Sequence, residues 1–278
     1  MKRLLKPNPS LIAAFFVLFL GLIVTFVSVR VIQQDMAEKK QFYFDYRVRE
    51  ALQLIQGRVA TYQQVLMGAK ALFDVTKTVD RETFRKYVTD QHISDNFPGI
   101  QGVGFSVIVP ADKKNLHIAD IRAQGFPEYS LRPDGTRDVY SSIIYLEPFS
   151  DRNLRAFGYD MYSEKVRHAA MQKALENDQA TLSGKVTLVQ ESDKQKQAGF
   201  LMYLPVYQHN TPHSLLSDRQ KNVTGWVYAP FRMNDFMAGL FGEFSADLEI
   251  KIFDGQTISS ATQLFSWFDN KTKSLPIK

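Results

Sequence analysis

The chain has 278 residues, 45% of them hydrophobic and 23% charged. This is the balance of a globular protein, long enough for one large domain or two ordinary ones. There is no cysteine, which excludes disulfides, thiol nucleophiles and thiolate metal sites. The net charge is +5, with the basic residues scattered rather than clustered, so no nucleic-acid partner is expected.

Leu11 to Val29 carries no charge. The run is longer than the ~7–15-residue core of a cleaved signal peptide and close to the ~20 residues that span a bilayer. Phe26-Val27-Ser28-Val29-Arg30 is a poor cleavage site. Residues 11–32 therefore read as an uncleaved transmembrane helix, and 1–10 as a short cytoplasmic tail. Lys2, Arg3 and Lys6 precede the span without an acidic residue. That bias places the N-terminus inside the inner (plasma) membrane and the rest in the periplasm or outside the cell.

Residues 33–75 read as a long stalk helix. Leu52, Ile55, Val59, Tyr62, Leu66, Ala69 and Phe73 recur at steps of three and four. The stripe fits packing on the chain's own domain, or pairing with a second copy in a homodimer. Asp80 is placed to cap a second helix with Phe84, Tyr87 and Val88 inward. Residues 101–110 and 139–146 read as strands, with a short helix at 112–123 between them. Thr181–Val189 and Gly199–Tyr207 form a hairpin pattern around a polar tip. That tip holds Glu191 and Asp193, which read as solvated. A polar loop, 208–222, contains His209 and His213. A strand from Gly225 to Phe231, a short helix at Met233–Phe241 and a strand at Leu248–Phe253 follow. The order is α+β rather than a βαβ series.

Residues 157–175 read FGYDMYSEKVRHAAMQKAL. Ser163 is placed as a helix N-cap with Glu164 in the first turn. Val166, Ala169, Ala170, Lys173 and Ala174 share one face. Asp160 thus stands just before a helix, inside an aromatic cluster. A turn or capping residue is one reading; the single polar contact of an apolar pocket is the other. His168, on this helix, reads as a surface residue or one that supports the ligand contacts from behind, rather than as a ligand itself. No histidine pair carries the HExxH zinc-protease motif and no GxSxG serine is present. Catalysis, a metal site and a cofactor are therefore not expected.

Six segments in order resemble the CHASE domain, the extracellular sensory module of bacterial receptors and plant cytokinin receptors. They are FPGIQGVGF (97–105), GFPEY (125–129), YLEPFSDRN (145–153), FGYDMYSEKVRHAAM (157–171), GFLMYLPVY (199–207) and GWVYAPFR (225–232). The resemblance implies a long helix followed by tandem PAS-like α/β subdomains. It places a membrane-distal subdomain at 76–224 and a membrane-proximal one at 225–278. The latter is expected to be incomplete, because no sheet-closing strand or second span precedes Lys278. It also implies a dimer and a cytoplasmic kinase or nucleotide-cyclase output outside this chain. Asp160 matches the aspartate that contacts a purine-like ligand in cytokinin receptors, and Leu182 matches an apolar pocket residue. With Tyr145, Tyr159 and Tyr203 these residues form the expected ligand site, for an unidentified small molecule such as a purine-like compound or an amine. The alternative is a membrane-anchored module that binds a protein partner.

Overall fold

The computed structural model describes residues 9–191, 196–238, 240 and 249–267. The first helix, α1, runs unbroken over Pro9–Val75. The chain divides into two compact units after Leu54. In the first unit the consecutive apolar residues Phe15, Phe16, Val17, Leu18 and Phe19 are all more than half exposed, and at about 100° per residue they lie all round the helix. Leaving a large apolar side chain in water costs roughly 1.5–3 kcal/mol. A helix apolar on every side is therefore stable in lipid rather than water. It is long and apolar enough to cross a membrane and fits a single-pass membrane protein.

In the second unit the stripe on α1 is buried by the chain's own domain. Tyr62, Val65, Leu66 and Ala69 are core residues, and Ile55, Val59 and Phe73 pack at its edge. Helix α2 (Arg81–Asp90) starts where the Asp80 carboxylate accepts the Thr83 N–H at 2.7 Å, and it buries Phe84 and Val88. A short α3 (Ile93–Asn96) leads into β1 (Val103–Pro110), α4 (Lys114–Ala123) and β2 (Val139–Glu147). Then come two 3-10 turns, Asp151–Ala156 and Met161–Ser163, and α5 (Lys165–Asn177). β3 (Thr181–Leu182), β4 (Gly199–Tyr207), α6 (Leu216–Asn222), β5 (Val223–Arg232), α7 (Met233–Met237), β6 (Ile250–Phe253) and β7 (Gln263–Trp267) complete the order.

Five strands form one antiparallel sheet in the order β2-β1-β5-β4-β3. Side chains alternate between its faces, as the strand period of two requires. Phe200, Met202, Leu204 and Val206 of β4, with Val227, Ala229 and Phe231 of β5, join the α1 and α2 core. Leu201, Tyr203, Trp226 and Tyr228 point the other way, onto α5. Each helix layer thus covers one face of a shared sheet. A separate hairpin, β6–β7, is tied to the residues after β3, where the Asp254 carboxylate accepts the Lys185 N–H at 2.8 Å.

Several local expectations change. The boundary at 224/225 falls inside β5, a central strand paired on both sides. The five-stranded sheet therefore extends to Arg232, and the hairpin β6–β7 stands among the described residues that follow. Only Thr181 and Leu182 of the expected 181–189 strand pair as a strand; after them Ser183 exchanges hydrogen bonds with Leu201 of β4, and Val186 bridges to Gly199. The polar loop contains α6, and His213 stacks on Tyr207 at 4.6 Å. Glu191 is not solvated: its carboxylate accepts from Arg232 Nε at 2.8 Å with both side chains buried. Asp193, Phe241 and Leu248 lie outside the described residues, as do 1–8 of the expected tail.

Candidate ligand site beside Asp160

Asp160 is fully buried. It stands beside the middle of β2, where it bridges to Ser142, and its own N–H bonds the Arg132 carbonyl at 2.6 Å. Its Oδ1 accepts the Ser141 N–H at 2.8 Å and the Tyr162 N–H at 3.1 Å. The second of these caps the 3-10 turn Met161–Ser163. The cap of α5 is Glu164 rather than Ser163: its carboxylate accepts from Val166 and Arg167, while the Ser163 hydroxyl donates to the Asp160 carbonyl. A three-residue turn therefore separates Asp160 from the helix it was expected to precede directly.

The other oxygen, Oδ2, receives no hydrogen bond among the described residues. It faces Arg137 Nη1 at 3.4 Å, an ion pair without hydrogen-bond geometry. Burial raises the Asp160 carboxyl above its ordinary range; the two backbone N–H groups, Arg137 and His168 pull the other way. Burial likewise lowers the His168 imidazole, opposed by Asp160.

Arg137 and His168 both line an open cleft of about 840 Å³. Ile108, Pro110, Val139, Leu175 and Val223 supply its apolar wall. Tyr162, Gln172, Gln220, Lys221 and Asp138 supply its polar groups. The Tyr162 ring stacks on His168 at 4.0 Å, and Gln172 Nε2 donates to the Tyr162 hydroxyl at 3.1 Å. An apolar recess with a few fixed polar groups is the usual form of a small-molecule site.

The expected site residues are not all brought together. Tyr159 adjoins Asp160 and carries the Arg167 guanidinium 5.2 Å above its ring. Tyr203 is buried on the α5 face with its hydroxyl 3.5 Å from Met161 Sδ. Tyr145 belongs to the opposite face: it packs on Phe84 and Phe105, and its hydroxyl donates to the Val79 carbonyl at 2.9 Å. Leu182 is 41% exposed and outside the cleft. Sequence reasoning missed Arg137, Gln172 and Lys221, and did not count His168 among the ligand contacts. The spacing of His168, Gln172 and Leu175 on one side of α5 was the available signal.

The family model described as CHASE domain matches residues 77–265, more than half of the chain. No curated protein matches the chain. Among solved structures, the ligand-binding domain of the Pseudomonas aeruginosa PAO1 amino acid chemoreceptor PctC, in complex with GABA, shares 12% identity. That comparison covers 81% of this chain and 74% of that one, with a TM-score of 0.47. By the extent of the family match, the chain belongs to the CHASE family of sensory domains.

Proposed function

We propose that this domain is the extracytoplasmic input of a transmembrane receptor and binds a small molecule in the cleft beside Asp160. The observation that carries the proposal is a fully buried carboxylate with one oxygen lacking a hydrogen bond, set behind a cleft-lining arginine. A buried acceptor left without a donor costs about 1–3 kcal/mol. A ligand N–H placed there relieves that penalty, which suits an amine or a purine-like edge. The apolar wall supplies contact area, and Tyr162, His168 and Gln172 set the shape of the ligand. In this reading the N-terminus is cytoplasmic, α1 carries the signal across the membrane to a kinase or cyclase output, and the receptor works as a homodimer. Ligand binding moves such an equilibrium only by its difference in affinity for the two states.

The test is thermal unfolding of the full chain in detergent against small metabolites that include purines and amines, with Asp160→Asn in parallel. Binding to the folded state raises the midpoint by mass action. A compound that stabilises the parent but not Asp160→Asn supports the site. A compound that stabilises both equally removes Asp160 from it. A well-folded domain with no response to any compound favours the protein-partner alternative.

A further inference from the structure

Asp160 cannot meet a ligand as it stands, because its side chain is fully buried. The group at the cleft surface next to its Oδ2 is Arg137. We propose that Arg137 is a built-in competitor: it covers the Asp160 carboxylate, and an organic cation with N–H donors binds by displacing it. This inference rests on the cleft being the binding site and adds the class of ligand and the residue that sets its affinity.

Three observations support displacement. Arg137 holds Oδ2 poorly, at 3.4 Å and without hydrogen-bond geometry, whereas a well-seated cation–carboxylate hydrogen bond measures about 2.7–2.9 Å. Its other contacts are also loose: Nη1 is 3.5 Å from the Pro133 carbonyl, and the guanidinium lies 5.8 Å from the Tyr140 ring centre with the side chain 26% exposed. The backbone is fixed separately, since the Arg137 N–H donates to the Tyr140 hydroxyl at 3.1 Å. The side chain can therefore swing out while the main chain stays in place. The site it vacates has a carboxylate with a free oxygen at its base and an apolar wall above it, Ile108, Val139 and Val223. A planar amidine or an aminopurine edge matches both: two N–H donors for the carboxylate and a flat apolar face for the wall.

The experiment is calorimetric titration of the full chain in lipid nanodiscs with benzamidine, its neutral isostere benzamide, and benzoate. Arg137→Met removes the competing charge but keeps most of the side-chain volume. It is expected to bind benzamidine about three- to fivefold tighter than the parent does, the scale of losing one partly exposed ion pair. Arg137→Lys keeps a charge and should stay close to the parent; unfolding midpoints confirm that each variant is folded. Adding Asp160→Asn to Arg137→Met should return the affinity to the level seen with benzamide. Equal or weaker benzamidine binding by Arg137→Met overturns the competitor role, as does an absence of binding up to the solubility limit. If Arg137→Met instead abolishes binding of benzoate, Arg137 is a direct anion contact and the proposal fails. Indifference of benzamidine to Asp160→Asn has a different meaning: the cleft reading itself is then wrong.

Discussion

Replacing Asp160 separates its two roles, as acceptor and as charge. In Asp160→Ala the buried Ser141 N–H and the Tyr162 N–H lose their acceptor. An orphaned buried donor costs about 1–3 kcal/mol, and loss of a turn or helix cap about 1 kcal/mol. A net loss of about 2–3 kcal/mol is expected, after allowance for removing a poorly solvated charge. Asp160→Asn keeps a carbonyl where Oδ1 sits, so both N–H groups stay bonded and stability at pH 7 should stay within about 1 kcal/mol of the parent. The pH dependence isolates the charge. The folded carboxyl titrates above its unfolded value, so across that interval the unfolded chain has released a proton that the folded one retains. Stability therefore falls as pH rises from about 3.8 through the folded pKa. Asp160→Asn should remove that fall while other carboxylates contribute equally to both proteins. The assay is guanidinium unfolding of the full chain in detergent, followed by emission of the buried Trp226. Equal destabilisation by Ala and Asn, or a parent-minus-Asn difference that is flat from pH 4 to 7, would refute the reasoning.

Other substitutions should sort the two faces of the sheet. Leu182→Ala, at an exposed position, should change stability by under about 0.5 kcal/mol and leave ligand binding unaltered; a large loss of binding would restore it to the site. Tyr145→Phe removes the hydrogen bond to the Val79 carbonyl and should cost about 1 kcal/mol without touching the cleft, as read by paired unfolding and binding measurements. Gly225→Ala drives a Cβ into the Ser106 carbonyl oxygen and to 2.8 Å from the Phe105 ring, so unfolding should show a loss of about 3 kcal/mol, the upper end for overpacking. His168 is held below its ordinary pKa by burial, so the folded state binds protons less readily than the unfolded state. Stability should drop as pH falls below about 6.5, and His168→Gln should flatten that drop.

The strong periodic signals in the sequence translated directly into structure. The α1 stripe is buried from Tyr62 to Ala69, Asp80 caps α2, and the strands expected at 199–207 and 225–231 form, with residues 200–204 and 226–229 alternating between two cores. The weaker parts failed for physical reasons. On α5 the buried side is Arg167, Ala170, Met171, Ala174 and Leu175, rotated from the small-residue face containing Val166, Ala169 and Lys173. A charged Arg167 argues against an inward face, yet it is 2% exposed, with Nη2 donating to the Thr187 carbonyl and its guanidinium over Tyr159. Tyr145 shares its aromatic surroundings in sequence with Asp160, but the irregularity of β2 between Ile143 and Tyr145 turns it to the other face. Arg137 gave no local signal at all. It sits in a turn rich in charged residues, and only the folded register of β2 brings it to Asp160.

The arrangement constrains how occupancy of the cleft can reach α1. Cleft and helix lie on opposite faces of one sheet, so the path runs through strands that carry side chains to both. In β5 the alternation is tight: Trp226 reaches the α5 face, where its Nε1–H bonds the Met171 carbonyl at 3.1 Å, while Val227 joins the core of Tyr62, Leu66 and Ala69. Tyr162 links the cleft to this strand, its ring 5.5 Å from Trp226 and stacked on His168. A close-packed interior has two discrete arrangements or none; it does not deform smoothly. If the proposed ligand signals, it does so by favouring one packing of Tyr162 on Trp226 and hence one seating of β5 against α1. Trp226→Phe keeps an aromatic ring but loses the bond to Met171. It should leave probe affinity in the cleft within about threefold while weakening the ligand-induced change in protection of α1 amides 55–75, measured by hydrogen exchange. Unchanged protection in that variant would mean that the signal bypasses β5.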